Sequence, residues 1–393
     1  MEKPLRILVV VNLPWDPRLG ATRVWMELAE QWRAAGHTVE KFCLTDAYPV
    51  KCSSRPLSAL RQVLFAYKAG AFVKANGHQF DVIDALIGTL PFSKRRLNFR
   101  GLLVARSVGL YLLYERFEKR MARKAPRSAR GTFLGRIFYR QVRRRVLRDS
   151  GRAVRHADLI NVPNEEEAAC LREEKISAER IVVQPYGLTP DRARALAFAA
   201  IPPESRLARP CVSFVGMWSP RKGAHDWAAI IRAVRAAVPQ TRFRFLGTMV
   251  TAQVIEDALG KAAENVECVS DYQPEELPGL LADCTVGAFP SYVEGFGLAV
   301  IEQLAAGLPT VAYETAGPRD ILREKLPQLL VPCGQVEEFA AALVRVLSLG
   351  AQDYRALSQK SIEAANDFSW PRIAHHAIEI FRRHLRGVDS TSP

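Results

Sequence analysis

Short β-rich apolar runs alternate with helical patterns along most of the chain, as expected of βα units wound around parallel sheets. In the first half the runs predict strands at Arg6–Val11, Thr38–Leu44, Phe80–Leu86, Leu102–Arg106, Ala157–Val162 and Arg180–Gln184. Trp25, Leu28, Ala29 and Trp32 share one face of a helix opened by Gly20, and Leu57–Ala75 is a second amphipathic candidate. From Leu188 to Pro210 the periodicity stops in a Pro- and Ala-rich stretch that reads as a linker. A second series predicts strands at Cys211–Val215, Arg242–Leu246, Glu267–Ser270, Val286–Phe289, Thr310–Tyr313 and Leu329–Val331, and an amphipathic helix over Ser369–Leu385. The expected fold class is α/β: two Rossmann-like, doubly wound parallel-sheet domains facing across a cleft, with ligands beyond the carboxyl ends of the strands. The expected division is 1–187, a linker 188–210, a second domain 211–366, and a helix 367–393 crossing back to the first domain.

Composition narrows the class. The 393 residues are 48% apolar and 24% charged, enough for two cores. No apolar run approaches the roughly 18 residues of a membrane span, and MEKPLRILVVV reads as a buried strand rather than a signal peptide. Seven scattered cysteines, odd in number and never CxxC, argue against a disulfide framework and a zinc site and favour a reducing cytosol.

Candidate chemistry lies in the turns after strands. Asn12–Arg23 follows the first strand and ends at Gly20, where a helix start suits an anion; Asp16 in this loop suits an acceptor hydroxyl or caps the loop. Neither GxGxxG nor a P-loop is present, which weakens NAD and ATP readings. After Val215 comes Gly216–Met217–Trp218–Ser219–Pro220–Arg221–Lys222–Gly223, whose adjacent cations could clamp a diphosphate or form a solvated basic turn. His225 is close enough in sequence to reach a phosphate. The third candidate is SYVEGFGLAVIEQLAAGLPTVA. Here Glu294 stands in a loop freed by Gly295 and Gly297, Leu298 opens a helix, and Glu302 completes Glu-x7-Glu. A helix end suits phosphate, and a carboxylate accepts well from a ribose diol.

This last string resembles the nucleotide-sugar-binding domain of retaining GT-B glycosyltransferases of the large family 4 type (glycosyl transferases group 1). FVGMWSPRKG, FRFLG and AGPRDIL add to the resemblance, which extends through RILVVV, LGATRV, GHTV, FDVIDA, VARSVGL, ADLINVP, QPYG and the closing FSWPRIAHHAIEIF. It implies a sugar transferred with retention from a nucleoside-diphosphate donor, a UDP-sugar foremost, to a hydroxyl of a lipid-linked or cell-envelope glycan, with no metal or other cofactor. Arg221 and Lys222 are then the cations that hold the diphosphate. Glu294 contacts hydroxyls of the sugar, and Glu302 grips the ribose. Gly216, Gly295, Phe296, Gly297 and Leu298 surround the donor, as do Gly20 and Ala21, where relatives have a Gly-Gly turn. Arg106 and Val108 fall on the acceptor or sugar side. Relatives often carry histidine where Val108 stands, so the alternative is a catalytically degenerate sugar-nucleotide-binding or scaffold protein.

The net charge of +14 is concentrated. Residues 94–155 hold 20 Lys and Arg against 3 Asp and Glu, whereas the remainder has 35 basic and 38 acidic residues. Within that stretch Phe133–Arg148 reads as a basic amphipathic helix, with Phe133, Leu134, Ile137, Phe138 and Val142 among six arginines. An anionic membrane surface is the favoured partner, a solvated face the bland alternative. Nucleic acid is disfavoured, since no recognition motif accompanies the charge. The expected location is the cytoplasm, peripheral to the inner face of the cell membrane.

Overall fold

The computed structural model describes residues 3–50, 54–124 and 133–389. The chain forms two compact units, Met1–Pro185 with Trp370–Pro393, and Tyr186–Ser369. In the first, β1 (Arg6–Val11), β2 (Thr38–Cys43), β3 (Val82–Leu86), β4 (Leu102–Arg106), β5 (Leu159–Val162) and β6 (Ile181–Val183) form a sheet in the order β2-β1-β3-β4-β5-β6. In the second, β7 (Cys211–Val215), β8 (Arg242–Leu246), β9 (Val266–Val269), β10 (Val286–Phe289), β11 (Thr310–Tyr313) and β12 (Leu330–Val331) take the order β12-β11-β10-β7-β8-β9. Every pairing is parallel. Helices on both faces of such sheets bury the central strands, which explains the apolar run Ile7–Val11 in β1 and the wholly buried Cys211–Val215 of β7. The strand order reverses between β1 and β3 in one unit and between β7 and β10 in the other, and at such reversals the loops splay apart and open a crevice.

The two crossings between units are short. Leu188 N donates to Phe368 O at 2.9 Å, so the outgoing and returning strands run side by side within the second unit. The stretch expected as a linker, 188–210, is not one. It forms the helices Pro190–Ala199 and Pro203–Ala208, both within the second unit. Each has proline at its first position, where the missing N–H costs no hydrogen bond. Arg206, 2% exposed, donates to Ala282 O, Ala306 O and Gly307 O. Strand ends differ by a residue or two from expectation. Ala157 N still donates to Ala153 O of the preceding helix, and Leu44 opens the one-turn helix Leu44–Ala47.

After Trp370 the chain returns to the first unit as the helix Trp370–Asp389. Its Ile373, Ala374, Ala377, Ile378 and Phe381 are buried, and the Trp32 indole N–H donates to Ala374 O at 3.1 Å. A polar network crosses this unit's core. Asp84 on β3 and Arg106 on β4 are wholly buried and paired, with Arg106 Nη2 2.7 Å and Nε 3.0 Å from Asp84 Oδ2. Trp25 Nε1 donates to Asp84 Oδ1 at 2.9 Å. Gln184 Oε1 accepts from Arg106 and from Asn161, while its amide donates to Ile373 O at 3.0 Å. Arg106 is therefore fixed inside the core, which corrects its expected place beside the sugar. Replacing Asp84 by Ala strands the guanidinium in an apolar interior. Such a loss is expected to cost about 3–5 kcal/mol in urea unfolding, and Asp84→Ala/Arg106→Met should recover part of it.

Candidate functional site

The turn after β7 and the turn after β10 lie on adjacent strands at the reversal of the second sheet. After Gly216 the chain passes through Met217–Ser219 into a single turn, Pro220–Lys222, closed by Lys222 N donating to Ser219 O. Tyr292 N donates to Arg221 O at 2.8 Å and so ties the two turns together. Lys222 Nζ makes an ion pair with Glu294 Oε2, and each side chain is only 12% exposed. The ammonium also lies 4.6 Å from the centroid of the Phe289 ring, a cation–π contact from below. Burial pushes the Lys222 pKa below its ordinary value. Glu294 opposes that shift, while Arg221 adds to it. Two adjacent cations and a carboxylate thus meet at the carboxyl ends of β7 and β10.

Aromatic side chains brace this arrangement. Asp226 Oδ2 accepts from the hydroxyls of Tyr292 and Tyr313, both at 2.9 Å, and burial together with Asp226 raises both phenol pKa values far above the usual range. The His225 ring stacks on Tyr292 at 5.0 Å and its Nε2 lies 3.4 Å from Asp226 Oδ1, so it faces a carboxylate. Two hydroxyls, Ser219 Oγ and Ser291 Oγ, are buried in these same turns without a hydrogen-bond partner among the described residues. A polar ligand entering the turns would meet them.

Downstream of Glu294, Gly297 has φ +99°, a left-handed conformation that glycine takes without strain, and caps the helix Leu298–Ala305. Gly317 matters for another reason: a Cβ there would stand 1.9 Å from Phe296 O. Its bareness lets the Gly295–Gly297 loop lie directly on the start of the helix Ala316–Leu322. Phe296 itself is 2% exposed and packs edge-on against Tyr186 and Phe368. Its side chain is core, so any part it has at the donor falls to its backbone, and Leu298 is half-buried at the helix start.

Glu302 lies one helical repeat further on, 3% exposed, and its partner comes from the stretch expected as a linker. Arg192 Nη2 and Nε donate to Glu302 Oε1 at 2.8 and 3.2 Å, and Arg192 Nη1 donates to Pro274 O. One carboxylate oxygen thus takes both guanidinium bonds. Thr189-Pro190-Asp191 was the available signal: Thr189 Oγ1 accepts from Arg192 N as an N-cap, with Pro and Asp in the first turn.

In the first unit, Gly20 and Ala21 open the helix Gly20–Ala34, and a Cβ at Gly20 would meet nothing within 4 Å. Asp16 accepts from Arg18 N and its guanidinium, and these bonds hold its carboxyl below the usual range, so it caps the loop. The turn after β4 is held by Glu167, wholly buried, which accepts from Ser107 Oγ at 2.6 Å and Leu110 N at 3.0 Å. Val108 sits half-buried on that turn.

Residues 209–349 match the family model of Glycosyl transferases group 1. Sucrose-phosphate synthase from Thermosynechococcus elongatus aligns in structure with a TM-score of 0.71 at 20% identity, over 97% of this chain and 100% of that one. WaaG, a glycosyltransferase involved in lipopolysaccharide biosynthesis, aligns at 0.67 and 17% identity, over 95% and 99%. The fold is GT-B. Anabaena HepE, solved with UDP and glucose, aligns at 0.65 and 16% identity, over 96% of this chain and 100% of that one. In sequence, the 2-deoxystreptamine glucosyltransferase of Streptomyces kanamyceticus is 29% identical over 60% of this chain and 62% of its own length. The D-inositol 3-phosphate glycosyltransferase of a Nocardioides species is 29% identical over 49% and 45%. The chain therefore spans less than two thirds of either relative.

In this GT-B chain the family match covers both turns, Glu294 and Glu302, but not Arg192. Arg192→Ala leaves a buried carboxylate without its cation. The expected loss is about 3 kcal/mol of stability at neutral pH in denaturant unfolding, and Arg192→Lys should restore a smaller share because one ammonium cannot reproduce the fork.

Proposed function

We propose that this chain is a retaining glycosyltransferase that moves a hexosyl group from a nucleoside-diphosphate donor, a UDP-sugar foremost, to a hydroxyl acceptor. The observation that carries the reading is the Lys222–Glu294 pair with Arg221 alongside, built on the reversal point of the second sheet. UDP in the HepE structures supports the choice of base, and WaaG's role in lipopolysaccharide biosynthesis supports a lipid-linked or envelope glycan as acceptor.

The diphosphate would draw Lys222 from Glu294 and take Arg221 with it, leaving the Glu294 carboxylate to accept from sugar hydroxyls. The bond from the anomeric carbon to the diphosphate oxygen breaks, and its electron pair leaves with the nucleoside diphosphate. The acceptor oxygen bonds to the same face of that carbon, and its proton passes to the departing phosphate oxygen. Fixed cations stabilise the charge as it develops on the phosphate, so this scheme needs neither an enzyme nucleophile nor a metal. Glu302, oriented by Arg192, would receive the ribose diol. The reaction is placed in the cytoplasm, where the acceptor meets the inner membrane face. Among the described residues no helix is long and apolar enough to cross a membrane.

A second reading rests on Val108, a side chain without a hydrogen-bonding group where relatives often have histidine: a protein that binds sugar nucleotides without transferring the sugar. One screen separates the two. With UDP-, GDP- and dTDP-sugars and cell-derived acceptors, the transferase reading expects release of nucleoside diphosphate, and Arg221→Ala/Lys222→Ala is expected to cut that release by about 10³-fold with the fold intact. Turnover of the double variant near wild type sinks the transferase reading; tight binding with no release supports the second.

Binding should also depend on pH through Lys222. A diphosphate favours the charged amine and so raises its lowered pKa, which means protons are taken up on binding. Affinity for UDP should be greatest below the pKa of free Lys222 and should fall as pH rises through it. Calorimetry in buffers of different ionisation enthalpy reads this uptake, and Lys222→Ala should abolish it.

A further inference from the structure

The helix Arg55–Asn76 contains no Asp or Glu, yet four of its large apolar side chains face water. Leu57, Leu60, Leu64 and Tyr67 are between 40% and 45% exposed, and their spacing of three, four and three residues aligns them in one stripe. They are not the core face: Phe65, Ala69 and Val73 fill that role and are wholly buried. Beside the stripe runs the helix Phe133–His156, with eight arginines and a single acidic residue, Asp149. Arg145 joins the two helices, donating to the Tyr67 hydroxyl with its guanidinium 5.2 Å from the ring centroid. Asp149 is already neutralised by Arg145. Ile137, Arg140, Arg144 and Arg148 share an exposed face, and Tyr139 and Val146 are also nearly half exposed. The side chains of Phe133, Leu134 and Arg136 lie outside the described residues.

A solvated face has no use for aligned leucines, and a nucleic-acid groove would use the arginines alone. Apolar side chains in line beside clustered cations match the two layers of a lipid surface: acyl boundary and phosphate headgroups. We infer that these two helices form one docking face for an anionic bilayer, with Leu57, Leu60, Leu64 and Tyr67 entering the boundary and Arg140, Arg144 and Arg148 meeting headgroup phosphates. The face belongs to the first unit and is independent of the donor residues: a chain that binds vesicles but no nucleotide keeps this surface and loses the donor site.

Flotation of the full chain with vesicles of phosphatidylcholine, with and without phosphatidylglycerol, tests it at low and physiological salt. The wild type should float only with phosphatidylglycerol. Leu57→Ser/Leu60→Ser/Leu64→Ser should weaken partitioning roughly 100-fold, most visibly at physiological salt where charge is screened. Arg140→Gln/Arg144→Gln/Arg148→Gln should weaken it by a similar factor and flatten the salt dependence. The three leucines are still more than half covered, so the leucine variant should melt somewhat lower, and flotation is compared at a temperature where both variants keep the wild-type circular dichroism. No flotation with phosphatidylglycerol at low salt overturns the docking face. So does a leucine variant that binds as well as wild type, or release of the bound chain from vesicles by duplex DNA or RNA at equal phosphate.

Discussion

A charge taken out of water must meet an opposite charge or lose its ionisation, and both units are organised around that demand. Asp84 with Arg106, Lys222 with Glu294 and Arg192 with Glu302 are buried or nearly buried pairs. What separates them is the saturation of their remaining valences. Asp84 and Arg106 are enclosed by Trp25, Gln184 and, through Gln184, Asn161 and the returning C-terminal helix, so the pair cannot exchange partners without opening the core. Lys222 and Glu294 sit instead in two turns at the ends of strands, one freed by Gly295 and Gly297, and retain a margin of exposure. The same electrostatic rule thus gives a locked girder in one unit and an exchangeable contact in the other.

The exchangeable contact stands where the sheet geometry leaves room. Parallel strands covered on both faces force polar chemistry to their carboxyl ends, and β7 and β10 splay apart at the reversal of strand order. The backbone bond from Tyr292 N to Arg221 O and the two phenols on Asp226 keep the splayed turns in register. The backbone that carries Arg221 and Lys222 is thereby fixed, so a change of partner at Lys222 needs only side-chain motion. Glu302 is prepared in a comparable way: Arg192 occupies one oxygen and fixes the plane of the carboxylate, as an outer partner orients a ligand in many sites.

Much of this was legible in the chain because burial on both faces of the central strands leaves apolar runs such as Ile7–Val11 and Val286–Phe289, and the edge strands alternate with them in a regular βα rhythm. The cations at 221 and 222 and the Glu-x7-Glu spacing were legible for a local reason: each lies within one turn or one helix. Contacts between distant segments were not. Arg106 read as a site residue through the resemblance of the string Arg106–Leu110, and only the opposing Asp84, 22 residues away, shows it to be structural. Arg192 lay in a stretch whose prolines read as breakers, although at the first helical position proline starts a helix as well as it ends one. Phe296 read as donor-side as part of the Gly295–Gly297 loop, and the direction of its ring, into an aromatic cluster drawn from both ends of the second unit, had no local signal.

The distribution of charge follows from the same physics at longer range. At physiological ionic strength a field decays over about 8 Å, so the excess on residues 94–155 acts on what touches it. Under the proposed function, a diphosphate would be read locally, by Arg221 and by the Lys222 that now pairs with Glu294. The arginine-rich helix, with leucines aligned beside it, would under the docking proposal meet an extended surface, which engages many charges and an apolar stripe at once. Net charge alone merges the two features; the basic stretch lies in the first unit and the Lys222–Glu294 pair in the second.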